Sequence, residues 1–215
     1  MLKKIKRETR DNQKTEEEVT EMDKIFLRFL AVVGVLVMTS TVFAMELLTK
    51  EQALKQIFPD VDKIIEEKQA IAPAEEARIK DRLDGELVFH SKDSKSKEVE
   101  AKKEYTFYFG MKSGKKVGAA VIEEEPGKWG PVKFIIGLDL NGKVKDLAVM
   151  SYSEKRGRPI AMRSFLSQFI GKGSSDPIAV RKDIRGVTGA TISSQCSAFA
   201  VKKAIVLYDE LYLKK

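Results

Sequence analysis

The 215-residue sequence predicts an α+β fold, an antiparallel meander sheet flanked by helices and preceded by an N-terminal signal or anchor helix. Three observations predict it. Helical periodicity occupies both ends of residues 46–215. Four alternating apolar runs separated by turn residues lie between them, and a long apolar run precedes the whole. A hydrophobic content of 43% and a charged content of 33% suit a chain that buries a core.

The apolar run comes first. Residues 1–24 form a charged tail, with Met22 as an alternative start, and residues 25–45 read as a signal peptide or membrane anchor. "IFLRFLAVVGVLVMTSTVFA" has Lys24 and Arg28 on its N-terminal side, and Val42-Phe43-Ala44 has the small-residue spacing of a cleavage site. The remaining chain, 46–215, is expected outside the cytoplasm as one domain, periplasmic or on the outer side of the cytoplasmic membrane.

Within it, "TKEQALKQIFPDVDKIIEEKQAI" (49–71) reads as helix capped by Thr49 and broken at Pro59 into two short helices. "APAEEARIKDRL" (72–83) is a third helical piece, closed by Gly85, and "SKDSKSKEVEAKKE" (91–104) reads as a solvated loop. Strands are expected at 105–111, 117–124, 132–140 and 143–153, the last two joined by Asn141-Gly142, a strong hairpin signal. Residues 159–171 return to helix, with Met162, Phe165, Leu166, Phe169 and Ile170 on one stripe. A final helix presents Ala200, Ala204, Leu207, Tyr208 and Leu211 inward.

Composition narrows the chemistry. The net charge is +7, of which residues 1–44 contribute only one, so the folded part favours anionic partners: phosphates, haem propionates, acidic protein faces or anionic lipid. Nucleic acid would satisfy the charge, but the leader argues against it. One cysteine, Cys196, excludes a disulfide framework, and one histidine, His90, leaves little room for a metal or haem site. An organic cofactor, or none, remains.

"RGVTGATISSQ" (185–195) runs straight into the last helix and carries more hydroxyls than a cap requires. The unpaired N–H groups of a first helical turn attract an anion, and Gly189 and Ala190 let another molecule approach the backbone. Thr191 then offers a hydroxyl beside that anion pocket, with Thr188, Ser193 and Ser194 as further donors. An over-provided N-cap accounts for the same residues, since hydroxyl-rich caps are common. The residues alone leave both readings open. Trp129, in the Gly/Pro-rich connector 125–131, offers a ring for stacking or for packing.

"GVTGATISS" resembles the flavinylation motif of the FMN-binding domain family, which includes the C component of the sodium-translocating NADH:quinone oxidoreductase and the G component of the Rnf complex. It also includes simpler exported FMN-binding proteins. "LTKEQALKQIFPDVDKI", "YTFYFGMKSGKKVGAAVIEE", "IGLDLNGKVKDLAVMSYSE" and "FLSQFIGK" are similar, in order, to blocks of the exported members. The resemblance implies FMN joined covalently through its phosphate to Thr191, a phosphothreonyl link made by an ApbE-type flavin transferase from FAD with AMP leaving. It implies an electron carrier with no catalytic residues of its own, working with membrane or periplasmic redox partners, cytochromes among them. Two positions depart from the family. Arg185 stands where an acidic residue is common, with Asp183 two residues earlier, and "SEKRGRP" keeps only Glu154 and Gly157 of a family turn. Arg156, Arg158, Arg163, Arg181, Lys182 and Arg185 surround the motif in sequence and are candidates for stabilising a reduced flavin. The alternatives are an exported non-redox binding module of the same fold and a non-covalent FMN binder.

Overall fold

The structure, a computed structural model, describes residues 45–97, 99–153 and 158–214, all within the compact unit Phe43–Lys215. The charged tail, the expected leader helix apart from Met45, and Glu154 lie outside the described residues. Among the described residues no helix is long and apolar enough to cross a membrane.

Six strands form one sheet: β1 (Met45–Glu46), β2 (Lys63–Ala70), β3 (Glu104–Lys112), β4 (Lys115–Pro126), β5 (Pro131–Leu138) and β6 (Val144–Tyr152). Their spatial order is β1-β6-β5-β4-β3-β2, and every neighbouring pair is antiparallel. The expected four-strand meander is its centre, β3 to β6. Its tight turns are built by Ser113-Gly114 and Asn141-Gly142. Gly114 and Gly142 take φ of +75° and +77°, a region glycine enters without steric cost. The Asp139 carboxylate accepts the N–H groups of Asn141 and Lys143 and fixes the second turn.

Three expectations are corrected. The second half of 49–71 is a strand, not a helix: α1 (Lys50–Ile57) ends before Pro59, and β2 pairs along its length with β3. Pairing with β3 supplies every second backbone group of this stretch with a partner, which outweighs its local helical periodicity. Its charged residues suit an edge strand, where they discourage pairing with another chain. The expected helix 159–171 is instead three short pieces: a 3-10 turn at Arg158–Ala161, α3 (Arg163–Leu166) and a second 3-10 turn at Ser167–Phe169. Met162 between them is extended (ψ 141°), so the stripe is interrupted and Met162 is 55% exposed. Phe165, Leu166 and Phe169 keep their buried places. Leu140, expected on the β5 face, falls beyond the strand and is exposed.

The sheet is packed on both faces because its strands alternate. Phe134, Ile136 and Leu138 of β5 point toward α4 (Thr191–Tyr208), meeting Ala200, Val201, Ala204 and Leu207. Ile135 points the other way, toward Ala53, Leu54 and Ile57 of α1. On that face α1 lies so close that a Cβ on Gly137 would stand 2.5 Å from Ile57 Cγ2. The helix α2 (Pro73–Arg82) contributes Ile79 to the larger core.

Beyond Tyr208 the chain widens into a π turn, Asp209–Leu213, that places Tyr212 edge-on to Phe107 and Phe109 at 5.0 and 5.2 Å. Glu210 is buried there. Arg78 Nε, Arg82 Nη1 and Lys214 Nζ reach its carboxylate at 2.8, 2.7 and 2.8 Å. Burial opposes its ionisation, but the hydrogen bonds from Lys214, Arg78 and Arg82 outweigh it and hold the carboxyl down to about 2, from 4.5. A depressed carboxylate contributes stability above its unfolded pKa and loses it as pH falls toward the folded value. The wild-type melting temperature should therefore fall as pH drops from 4.5 toward about 2. Glu210→Gln should flatten that limb at a cost of roughly 1–2 kcal/mol near neutrality, after screening by water around Arg78 and Lys214. Thermal melts of both proteins across this window measure it; parallel acid limbs would refute the assignment.

Candidate functional site

The segment ahead of α4 is tied down by backbone and side-chain bonds rather than by regular structure. The Asp183 carboxylate accepts the N–H groups of Ile178 and Ala179 at 3.2 and 2.9 Å and pairs with Lys172 at 2.7 Å. Burial works against its ionisation, and the bonds from Lys172, Ala179 and Ile178 prevail, lowering its pKa. Gln168 grips the backbone of Arg185 from both sides, accepting its N–H at 2.8 Å and donating to its carbonyl at 3.2 Å. The Ser194 hydroxyl then accepts the Val187 N–H and donates to the Ala190 carbonyl, both at 2.9 Å. Gly189 turns the chain with φ of +77°, and α4 begins at Thr191.

This geometry separates the hydroxyls by task. The residue at the N-cap is Ala190, which offers no side-chain cap, so neither Thr191 nor Ser193 caps the helix. Thr191 is the first helical residue and is exposed. Ser193 and Ser194 are buried, and the Ser193 carbonyl accepts the hydroxyl of Ser197. Thr188 is exposed.

Thr191 opens on a cleft of about 1120 Å³. Gly189, Ala190, Thr191 and Ser193 form its floor at the helix N-terminus, Lys128 and Trp129 form one wall, and residues 91–95 form another. The wall at 91–95 lies in the stretch expected to be a solvated loop. Its Ser94 hydroxyl donates to the Gly127 carbonyl at 2.5 Å, and Lys95 N–H donates to the Lys128 carbonyl at 2.6 Å. Nothing in its composition signals this; the partners are two backbone carbonyls more than thirty residues away. Lys95 and Lys128 carry their ammonium groups over the Trp129 ring, 5.0 and 5.5 Å from its centroid.

Of the cationic residues expected near the motif, Arg163, Arg181, Lys182 and Arg185 do not line the cleft. Lys92, Lys95 and Lys128 line it. Arg163 instead pairs with Asp146. Arg185 lines a separate groove of about 470 Å³ with Pro159, Met162, Phe165 and Gln168. Arg156 and Glu154 lie outside the described residues.

Behind the cleft the core holds charge. Lys203 of α4 pairs with Glu123 at 2.7 Å and Glu125 at 2.6 Å of β4, all three at most 2% exposed. Lys102 approaches Glu123 at 3.4 Å. Burial alone would lower the Lys203 pKa, but the two carboxylates outweigh it and hold the ammonium charged. Burial raises the pKa of Glu125 against the pull of Lys203. The Tyr105 hydroxyl, buried beside them, is raised chiefly by burial. Cys196 is a buried small residue, its Sγ 3.8 Å from the Glu125 carbonyl. His90 is exposed, with its Nε2 3.7 Å from the Glu86 carboxylate. Among the described residues no group of three or more His, Cys, Asp or Glu could hold a metal.

Ser194→Ala tests the architecture of the floor. It leaves the Val187 N–H without its acceptor, so the domain should lose about 1–2 kcal/mol in urea denaturation, with greater protease sensitivity near residue 187. An unchanged unfolding midpoint would show that the bond does not hold the loop.

Residues 127–206 match the family model of the FMN-binding domain. The G component of the proton-translocating ferredoxin:NAD(+) oxidoreductase complex of Clostridium ljungdahlii is 31% identical over 119 residues, which cover 52% of this chain and 63% of that protein. The G component of the ion-translocating oxidoreductase complex of Aliivibrio fischeri is 32% identical over 120 residues, 50% of this chain and 57% of that protein. The chain thus matches about three fifths of the length of these curated relatives. The crystal structure of NqrC from Shewanella oneidensis aligns with a TM-score of 0.48 at 13% identity, covering 74% of this chain and 86% of that one. The segment that matches the family model runs from the Trp129 turn through the Thr191 loop into α4.

Proposed function

We propose that this chain is an exported electron-transfer protein that carries FMN in the cleft at the α4 N-terminus, linked through its phosphate to Thr191. The observation that carries this reading is the position of Thr191. Its side chain is exposed at the first position of an 18-residue helix, inside the cleft, in a helix that takes no side-chain cap. A phosphate joined there would meet the unpaired first-turn N–H groups and the positive end of the helix dipole.

The rest of the cleft suits the same group. Gly189 and Ala190 leave the floor open, Trp129 offers an aromatic face, and Lys92, Lys95 and Lys128 supply positive charge. When bound, FMN supplies one- and two-electron transfer, and the chain sets its orientation, exposure and electrostatic surroundings. Cations beside a flavin favour its reduced, more negative form, so these lysines would raise its potential. The curated relatives are named as parts of proton- or ion-translocating oxidoreductase complexes. That likeness supports a place beside membrane redox partners. Cytochromes among those partners, the outer side of the membrane and loading by an ApbE-type flavin transferase belong to the proposal itself.

A specific observation favours the non-covalent reading as the second choice. Arg185 occupies the place where the motif commonly has an acid. The nearest carboxylate, Asp183, is bonded to two backbone amides and Lys172, so it does not substitute. Co-expression of the full chain with a flavin transferase, followed by denaturing electrophoresis and flavin fluorescence, distinguishes the readings. A fluorescent band lost in Thr191→Ala is the expected result. A band that survives this substitution overturns the site, and flavin released on denaturation supports non-covalent binding. No flavin in either fraction supports the non-redox module.

A further inference from the structure

One buried carboxylate is bonded or directly linked in sequence to the three segments that carry the parts of the cleft. Glu125 stands three residues before Lys128 and four before Trp129, the first wall. Its Oε2 accepts the N–H of Phe89 at 2.8 Å, two residues ahead of the second wall, 91–95. Its Oε1 holds Lys203 Nζ at 2.6 Å, and its carbonyl faces Cys196 Sγ at 3.8 Å; both partners belong to α4, whose N-terminus is the floor. Its neighbour Glu123 shares Lys203, but the other partner of that carboxylate is Lys102, and it has no bond to residues 89–95.

We propose that Glu125 is a positioning residue for the cleft: anchored by Lys203, it fixes the 89–95 wall against the Trp129 wall and the helix N-terminus. The seat is thereby formed before any ligand arrives. A fully buried side chain held by an ion pair has one position to occupy, and the backbone N–H that it accepts inherits that position. Ser94 and Lys95, bonded to the carbonyls of Gly127 and Lys128, extend the same closure toward the rim. Preformed walls spare the ligand the cost of ordering them, which raises affinity without new contacts. What the cleft holds rests on the FMN reading above; the closure itself does not.

Trp129 is the only tryptophan in the chain, so its fluorescence reports on the cleft without a flavin. Glu125→Ala and Glu123→Ala each remove one carboxylate from Lys203, and only the first releases Phe89. In the unloaded full chain, Glu125→Ala should raise acrylamide quenching of Trp129 about twofold and abolish hydrogen-exchange protection at the Phe89 amide. Glu123→Ala, at a comparable loss of melting temperature, should leave both near wild type. Glu125→Gln, which keeps an acceptor for the Phe89 N–H, should restore Phe89 protection. Equal effects in the two alanine variants, or an unmoved Trp129 in Glu125→Ala, overturn the proposal. If Glu125→Ala does not fold, Ser94→Ala decides: increased quenching supports the closure and unchanged quenching overturns it. In chain co-expressed with the transferase, flavin fluorescence should rise in Glu125→Ala as the Trp129 wall moves off. Failure of wild type to take up any flavin would instead sink the FMN reading and leave the tryptophan result standing.

Discussion

Lys203 is the cation on which the interior depends. It leaves α4 a little more than three turns from its start and enters the space between Glu123 and Glu125, where water cannot reach any of the three. Stripping charges of water is expensive, and an ion pair offsets that cost only while both members are present. Two buried carboxylates on one strand therefore demand cations, which Lys203 supplies from the helix and Lys102 from the sheet margin. The helix cannot slide or rotate on the sheet without breaking this arrangement. Apolar packing alone would be more permissive, because Ala200, Val201 and Ala204 fit several registers nearly as well as one.

That registration matters because the cleft is built from element ends. The helix N-terminus, the Pro126–Pro131 turn and the 91–95 segment are each, by themselves, poorly fixed pieces of chain. They form a cleft only because the elements they end are held in one relative position. The sheet provides the platform, covered by α4 on one face and by the shorter α1 on the other. At the far end of α4, the bonded cluster around Glu210 joins α2 to the π turn. The long helix is thus held by charge at Lys203 and just beyond its C-terminal end, and along its length by apolar contact.

The two cation sets on this molecule have different physical roles. Arg78 and Arg82 neutralise buried acids and are structural. Lys92, Lys95 and Lys128 line the cleft together with an aromatic ring and a helix N-terminus. An anion is the natural complement of such a surface.

By itself the sequence determined what local chemistry determines. The hairpin turns at Ser113-Gly114 and Asn141-Gly142, the alternating central strands, the Thr49 cap and the inward stripe of α4 were legible because each depends on residues within a few positions of one another. Thr191 was legible as a hydroxyl at a helix start for the same reason. Tertiary structure alone decided the rest. Residues 63–70 became a strand because β3 offered a partner, and Met162 broke a helix whose periodicity had looked continuous. Arg163 and Arg185, near the motif in sequence, do not line its cleft, while Lys92, Lys95 and Lys128 do. The Glu125 node joins groups whose pairing depends on how the chain is folded. No pattern of residue types encodes such a pairing, because the interaction exists only once distant segments share one space.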